Sequence, residues 1–109
     1  MDKPTIVCLC GSTRFLDAFR EANLRETLAG KIVLSIGCDL RSDNELWPDD
    51  RVREKMKIML DELHKRKIDL ADEVLILNVG GYIGPSTQSE RDYAIKHGKV
   101  VRFLVGSQK

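Results

Sequence analysis

Short apolar runs alternate with segments of helical period along the chain. The apolar runs predict four buried strands, at residues 5–9, 31–36, 74–78 and 100–105. A first helix is predicted to stop at Gly30, and a last helix over residues 87–97 to stop at Gly98. A middle helix is expected to be capped by Asp49 or Asp50. Its apolar positions are Val52, Met56, Met59, Leu60 and Leu63, and we expect Phe15, Phe19, Met56 and Met59 in the core.

This order of elements predicts an α/β fold. Strands that alternate with helices favour a parallel sheet with helices on both faces and right-handed crossovers. The 109 residues are enough for one domain, which spans residues 1–109, and for a single core. Residues 37–50 lack a clean period and predict a long loop that contains Trp47, and loops of this length are usually functional or disordered.

Charge and cysteine content exclude several classes of function. The formal net charge is +1 and basic residues are scattered among acidic ones, so no nucleic-acid partner is expected, whereas a small anionic ligand is compatible. The three cysteines form no C-x-x-C motif, so we expect no metal site, no cofactor and no redox pair, with Cys8 and Cys10 at opposite or neighbouring packing sites. No apolar run would span a membrane and no signal peptide is evident, which predicts a reduced, cytoplasmic protein.

Two glycine-containing turns carry hydroxyl groups directly after predicted strands. Open parallel sheets bind ligands outside the carboxyl ends of their strands, so the turns at residues 11–14 and 80–90 predict a shared cleft. Gly11, Ser12 and Arg14 would bind a phosphate at a helix N-terminus. The alternative is helix capping by Ser12 or Thr13, with Arg14 in solvent. For the second turn, the alternative is a capping box in which Thr87 is the N-cap and Glu90 reaches back to it.

Three segments carry a resemblance to a known family. They are Leu-Cys-Gly-Ser-Thr-Arg at residues 9–14, Lys-Ile-Asp-Leu-Ala-Asp-Glu-Val at 67–74, and the stretch from Gly-Tyr-Ile-Gly-Pro to Arg-Asp-Tyr-Ala at 81–94. On these motifs the chain resembles the nucleoside 2-deoxyribosyltransferase-like superfamily, and within it the nucleoside 5′-monophosphate N-glycosidases. The resemblance implies a Rossmann-like (flavodoxin-like) three-layer sandwich with a small parallel sheet of four to five strands. It also implies a homodimer or higher homo-oligomer that cleaves or exchanges the N-glycosidic bond of a nucleoside or nucleotide.

The resemblance also implies roles for individual residues. Glu90 matches the family's nucleophile, which attacks the anomeric carbon of the sugar. Cys10, Gly11, Ser12 and Arg14 match the turn that binds the 5′-phosphate. The remaining residues assigned to substrate binding are Tyr82, Gly84, Ser86 and Thr87.

The chain departs from the family at two carboxylates. Where the family has an aspartate on the helix before the third strand, this chain has His64, with Asp61 and Asp69 nearby. His64 would serve as acid or base, or else be a solvated member of the basic run at 64–67. Asp69 is assigned to catalysis beside His64. Gly84 and Pro85 occupy the region of a second aspartate, which weighs against base exchange. A nucleotide-binding module without turnover and a deoxyribosyltransferase are therefore the alternatives to hydrolysis.

Overall fold

The computed structural model describes residues 3–36 and 49–106. Trp47, Cys38 and most of the predicted long loop lie outside these ranges. The described residues form one sheet of four parallel strands in the order β2-β1-β3-β4. The strands are β1 (Ile6–Cys10), β2 (Ile32–Leu34), β3 (Glu73–Ile76) and β4 (Val100–Phe103).

Helices cover both faces of this sheet. They are α1 (Leu16–Leu28), α2 (Asp50–Leu70) and α3 (Pro85–Lys96), with a short 3₁₀ turn at Val79–Gly81. Helix α1 contacts β1 and β2, whereas α2 and α3 contact each other and the opposite face. The predicted α/β architecture, a Rossmann-like three-layer sandwich, is confirmed. No helix in the described ranges is long and apolar enough to cross a membrane.

Strand β1 forms the centre of the core. Its side chains alternate between the two faces, as the pleat of a strand requires. Val7 and Leu9 pack with Phe19 and Ala22 of α1, and all four are buried. On the other face, Cys8 and Cys10 pack with residues of α2, β3 and α3. The two cysteines therefore point to the same face, and the possibility that they point to opposite ones is wrong.

Of the three predicted helix caps, one is confirmed and two are wrong. Asp49 caps α2, because its Oδ1 accepts hydrogen bonds from Arg51 N at 2.9 Å and Val52 N at 3.4 Å. Helix α3 begins at Pro85 after Gly84, with no side-chain cap, so the capping box of Thr87 and Glu90 is wrong. Proline is favoured in the first turn of a helix, where its missing N–H costs nothing, and this sets the earlier start.

Helix α1 also lacks a side-chain cap. It begins at Leu16 with Phe15 as its N-cap residue. The carbonyl of Ser12 accepts a hydrogen bond from Phe15 N at 3.0 Å, so the chain completes a turn before the helix begins. Capping of α1 by Ser12 or Thr13 is therefore wrong.

Helix α2 extends beyond the sheet. Its 21 residues span about 32 Å, whereas strands of four or five residues span about 16 Å. Only His64 and Ile68, in its second half, are buried. Met59, expected in the core, is 48% exposed because the first half of the helix has no sheet beneath it.

An ion-pair network joins α1 to the sheet. Glu73 at the start of β3 accepts from Lys31 Nζ and Arg102 Nη2, both at 2.8 Å, and Glu26 of α1 bonds to the same two cations. Burial raises the pKa of both carboxyls, but the hydrogen bonds and charges of Arg102 and Lys31 outweigh it, so both pKa values lie below the ordinary 4.5. Each carboxylate therefore stabilises the fold above its ordinary pKa, and this stabilisation is lost as pH falls through the lowered value.

We expect Glu26→Gln to lower the free energy of unfolding by about 2 kcal/mol at neutral pH, because it removes charge-assisted hydrogen bonds from a buried position. In acid the difference from the wild type should shrink, since the wild-type carboxyl is then protonated as well. Urea unfolding at neutral and acidic pH measures both values. Glu21→Gln, at an exposed position on α1, is the control and should change neither. Parallel pH profiles for wild type and Glu26→Gln would contradict the prediction.

Candidate functional site

The candidate site lies at the carboxyl ends of β1 and β3. Strand β1 pairs with β2 on one side and β3 on the other, so the chain changes direction across the sheet at this point. Ligands of open α/β sheets bind at such a switch point. Both predicted turns follow these two strands, so the structure brings them to one edge.

Close packing shapes the turn after β1. A Cβ on Gly11 would lie 3.1 Å from Leu77 Cβ and 3.3 Å from Leu77 O, so glycine lets the two strand ends approach closely. Ser12 Oγ accepts a hydrogen bond from Arg14 N at 3.3 Å. Residues 11–14 therefore form a compact turn with Arg14 at its end.

An aromatic ring holds Arg14. The guanidinium carbon lies 5.0 Å from the centroid of the Tyr82 ring, and Phe15 packs edge-on against the same ring at 6.0 Å. Gly84 lies beneath this ring, since a Cβ there would be 3.0 Å from the Tyr82 hydroxyl. The two turns thus contact each other through Arg14, Phe15, Tyr82 and Gly84. Arg14 forms no ion pair within the described ranges.

Glu90 lies on the buried face of α3. Thr87, one turn earlier, is 4% exposed and Glu90 itself is 8% exposed, whereas Ser86 is half-buried. Burial raises the pKa of Glu90 to about 7, and the negative charges of Asp61 and Cys8 add to this, against the charge of His64. A buried carboxyl among other ionisable groups is a feature of functional sites.

His64 lies inside the protein, between α2 and β1. Its Nε2 is 3.4 Å from Cys10 Sγ, 3.6 Å from Cys8 Sγ and 3.1 Å from the Leu9 carbonyl oxygen. The interpretation of His64 as a solvated member of the basic run is therefore wrong. Because β1 alternates and α2 crosses it, Cys8, Cys10, His64 and Glu90 come together on one face of the sheet.

The ionisable groups of this cluster shift one another's pKa values. The pKa of Cys8 is lowered to about 5 by its hydrogen bond to Cys10 and by the hydrogen bond and charge of His64, although burial opposes this. The same interaction with Cys8, together with burial and the charge of Glu90, raises the pKa of Cys10. Burial lowers the pKa of His64, but Cys8 and Glu90 outweigh it and the pKa is raised. Cys8, Cys10, His64 and Glu90 therefore act on one another's protonation.

Asp69 is not brought to this cluster. It lies at the end of α2, directly before β3 begins, and therefore at the opposite edge of the sheet. Its carboxylate accepts from Tyr93 OH at 2.5 Å and pairs with Arg66 at 3.3 Å. These contacts join α2 to α3 far from the turns.

A shallow depression of about 590 Å³ lies beside Arg14. Phe15, Val79 and Leu104 are among its lining residues, and Glu90 is not. Asn78, fully buried, closes the rim next to it: its side chain exchanges two hydrogen bonds of 2.9 Å with the backbone N–H and carbonyl of Val105. The edge therefore has two parts, an open one at Arg14 and an enclosed one at Glu90.

Cys8 and Asp61 are not assigned to the site from the sequence, although both act on the pKa of Glu90. Cys8 was treated as a packing residue, although the i, i+2 spacing of Cys8 and Cys10 places both on one face of a strand. Asp61 was weighed only as a neighbour of His64, although it precedes His64 by one helical turn and its charge acts on Glu90. Both signals are present in the sequence, but each requires knowing which strand α2 crosses.

The resemblance noted from the sequence rests on segments that the fold now separates. The first and third lie together at the carboxyl edge of the sheet, and the second runs from the end of α2 into β3. Comparison of the chain with protein-family models, with curated proteins and with solved structures finds no match.

Proposed function

We propose that this protein hydrolyses the N-glycosidic bond of a nucleoside 5′-monophosphate. The observation that carries the proposal is the position of Glu90: a buried carboxyl at the same sheet edge as a turn that ends in Arg14, which stacks on Tyr82 and has no ion pair in the part of the chain that the structure describes. The Glu90 carboxylate suits attack on a sugar carbon, and the Arg14 guanidinium suits binding of a phosphate. The resemblance to the N-glycosidases, drawn from the sequence, supports the same pairing.

In the proposed reaction Glu90 is the nucleophile. A carboxylate oxygen attacks the anomeric carbon, and the N-glycosidic bond breaks with its electron pair going to the base nitrogen. Water then attacks the glycosyl ester at the anomeric carbon, so that the free sugar phosphate leaves and the Glu90 carboxylate is restored. The departing base takes up a proton, and water supplies a hydroxyl to the sugar.

Two residues of α2 lie near Glu90. His64 is enclosed by Cys8, Cys10 and the Leu9 carbonyl, whereas Asp61 is half-buried one turn earlier on the helix and its negative charge acts on the Glu90 carboxyl. We therefore assign contact with the substrate sugar to Asp61, and to His64 an influence on the pKa of Glu90. Water supplies the proton that the departing base takes up.

Phosphate recognition falls to the turn after β1. Arg14 offers a fork of N–H donors, and the hydroxyls of Ser12 and Thr13 lie beside it in the chain. Tyr82, 42% exposed, fixes the position of the guanidinium by stacking. No metal ion or cofactor is needed for this chemistry.

A second candidate is a nucleotide-binding module without turnover. It is favoured by the depression beside Arg14, which does not include Glu90. Incubation with a panel of nucleosides and monophosphates, with base release followed by chromatography, separates the candidates. Release without an acceptor base supports hydrolysis, release that requires an acceptor supports a deoxyribosyltransferase, and binding without release supports the second candidate.

Exposed apolar residues along α2 support a homodimer. Val52, Met59 and Leu63 are each 42–48% exposed and recur at helical spacing on the part of α2 that extends beyond the sheet. A partner helix of a second copy would cover this stripe and enclose the site. We also expect a cytoplasmic location, which the free thiols of Cys8 and Cys10 support.

Glu90→Gln should reduce base release by about 10³-fold or more, because the amide keeps the shape of the side chain but does not attack carbon. The fold should be retained, with a change in unfolding free energy within about 1 kcal/mol. The control is Asp92→Asn, which removes an exposed carboxyl from the same helix. Wild-type turnover in Glu90→Gln would remove the nucleophile assignment.

Arg14→Ala should weaken binding of the monophosphate by about 10- to 100-fold, since a charge-assisted contact is lost. Binding of the unphosphorylated nucleoside should change little. Calorimetric titration with both ligands measures the difference. Arg25→Ala, at an exposed position near the other end of α1, is the matched control. Equal losses for the two ligands would assign Arg14 to structure instead.

Met59→Glu should convert the dimer to a monomer, because a charge at the centre of the α2 stripe resists burial. Light scattering coupled to size-exclusion chromatography measures the mass. Leu28→Glu on α1, where the leucine is 78% exposed, is the control and should leave the mass unchanged. A wild-type protein that is monomeric at all concentrations would contradict the homodimer.

A further inference from the structure

Three side chains on the α2 side of the sheet place metal-ligand atoms together. Cys8 Sγ, Cys10 Sγ and His64 Nε2 all lie within 4.8 Å of one another, and all three residues are buried. Nε2 is 3.6 Å from the first sulfur and 3.4 Å from the second. No other such group occurs among the described residues.

These distances match the ligand spacing of a tetrahedral ion. Zinc–sulfur bonds of about 2.3 Å and zinc–nitrogen bonds of about 2.0 Å at a tetrahedral angle put sulfur and nitrogen about 3.6 Å apart. An ion bound to Nε2 and to both sulfurs would therefore leave the two sulfur–nitrogen distances nearly unchanged. The ligands also lie on a central strand and a helix packed against it, and such elements hold a site more precisely than loops do.

The donor set selects the class of metal. Two thiolates and an imidazole are soft or borderline ligands, which suit zinc and exclude calcium and magnesium, because those ions take oxygen. The complex is also neutral, since two thiolates balance a divalent ion, and a neutral group is tolerated in the apolar surroundings of Ile68 and Ala94.

The alternative is a core histidine with no metal. In that case Nε2–H donates to the Leu9 carbonyl at 3.1 Å and the thiols only pack. A hydrogen bond to Leu9 accounts for one contact of Nε2, but it does not require two sulfurs at ligand distance. The i, i+2 cysteines and the histidine are together the unusual feature.

We propose that Cys8, Cys10 and His64 bind one Zn²⁺ ion. Binding forms two zinc–sulfur bonds and one zinc–nitrogen bond. The protons that the three ligand atoms carry leave to solvent, so that both sulfurs bind as thiolates and the imidazole binds through Nε2 and keeps its proton on Nδ1. This site does not depend on the proposed glycosidase activity, and its test uses no substrate.

The test is a titration of reduced, chelator-treated protein with Co²⁺, which has the same coordination preference and absorbs visible light. We expect tetrahedral ligand-field bands and sulfur-to-cobalt charge-transfer bands that saturate at one equivalent and disappear when Zn²⁺ is added. Cys8→Ser, Cys10→Ser and His64→Gln should each weaken binding by about 100-fold or more, since even indirect partners of a metal ligand contribute 10- to 100-fold. Absence of the charge-transfer bands in the wild type overturns the proposal.

Matched control variants show whether the metal binds at this site or at other cysteine and histidine residues. Cys38→Ser and His97→Gln remove the same residue types at other positions of the sequence, and both should keep the bands. His97 is exposed and its Nδ1 contacts the Tyr93 carbonyl at 2.9 Å. Bands that survive Cys8→Ser but vanish in Cys38→Ser would overturn the assignment.

A second measurement uses only the wild-type protein, so it remains valid even if a variant fails to fold. Alkylation of the wild-type thiols, read by mass spectrometry, should be slowed by Zn²⁺ at Cys8 and Cys10 but not at Cys38. The melting temperature should also rise with Zn²⁺, because the ion binds the folded state. Equal alkylation with and without Zn²⁺ at Cys8 and Cys10 would overturn the proposal.

Discussion

Burial of β1 on both of its faces is the constraint on which the structure depends. A strand between two parallel neighbours and two helical layers has no exposed side, so each of its side chains must find a partner. Val7 and Leu9 meet α1, whereas Cys8 and Cys10 meet α2 and α3. The strand's carboxyl end then delivers Gly11 to the switch point. The core and the candidate site are therefore set by the same five residues.

The sequence was sufficient to predict those features that depend on interactions between neighbouring residues. The cap at Asp49 depends on the N–H groups of Arg51 and Val52, and the stops at Gly30 and Gly98 depend on positive φ angles of 85° and 72°. The strands were recognised from apolar runs, and their parallel order followed from the helices between them. These features involve residues a few positions apart, so the sequence displays them directly.

Features that depend on distant contacts were not predicted. The network around Glu73 joins residues up to 76 positions apart, and nothing near Glu26 in the sequence indicates Arg102. Met59 was placed in the core because helical period does not tell where the sheet beneath a helix ends. Asp61 and Asp69 have similar local settings, and only the packing of α2 on β1 distinguishes them. The same packing of α2 on β1 brings Cys8, Cys10 and His64 together.

Asn78 has a consequence for the dynamics of the candidate site. Its side chain supplies to Val105 the donor and the acceptor that a neighbouring strand would supply, so one amide N–H at the rim depends on a single side chain. Exchange of that hydrogen with solvent requires the Asn78 contact to open, but not the ladder between β3 and β4. Hydrogen exchange at Val105 would therefore report local opening of the rim separately from unfolding of the sheet.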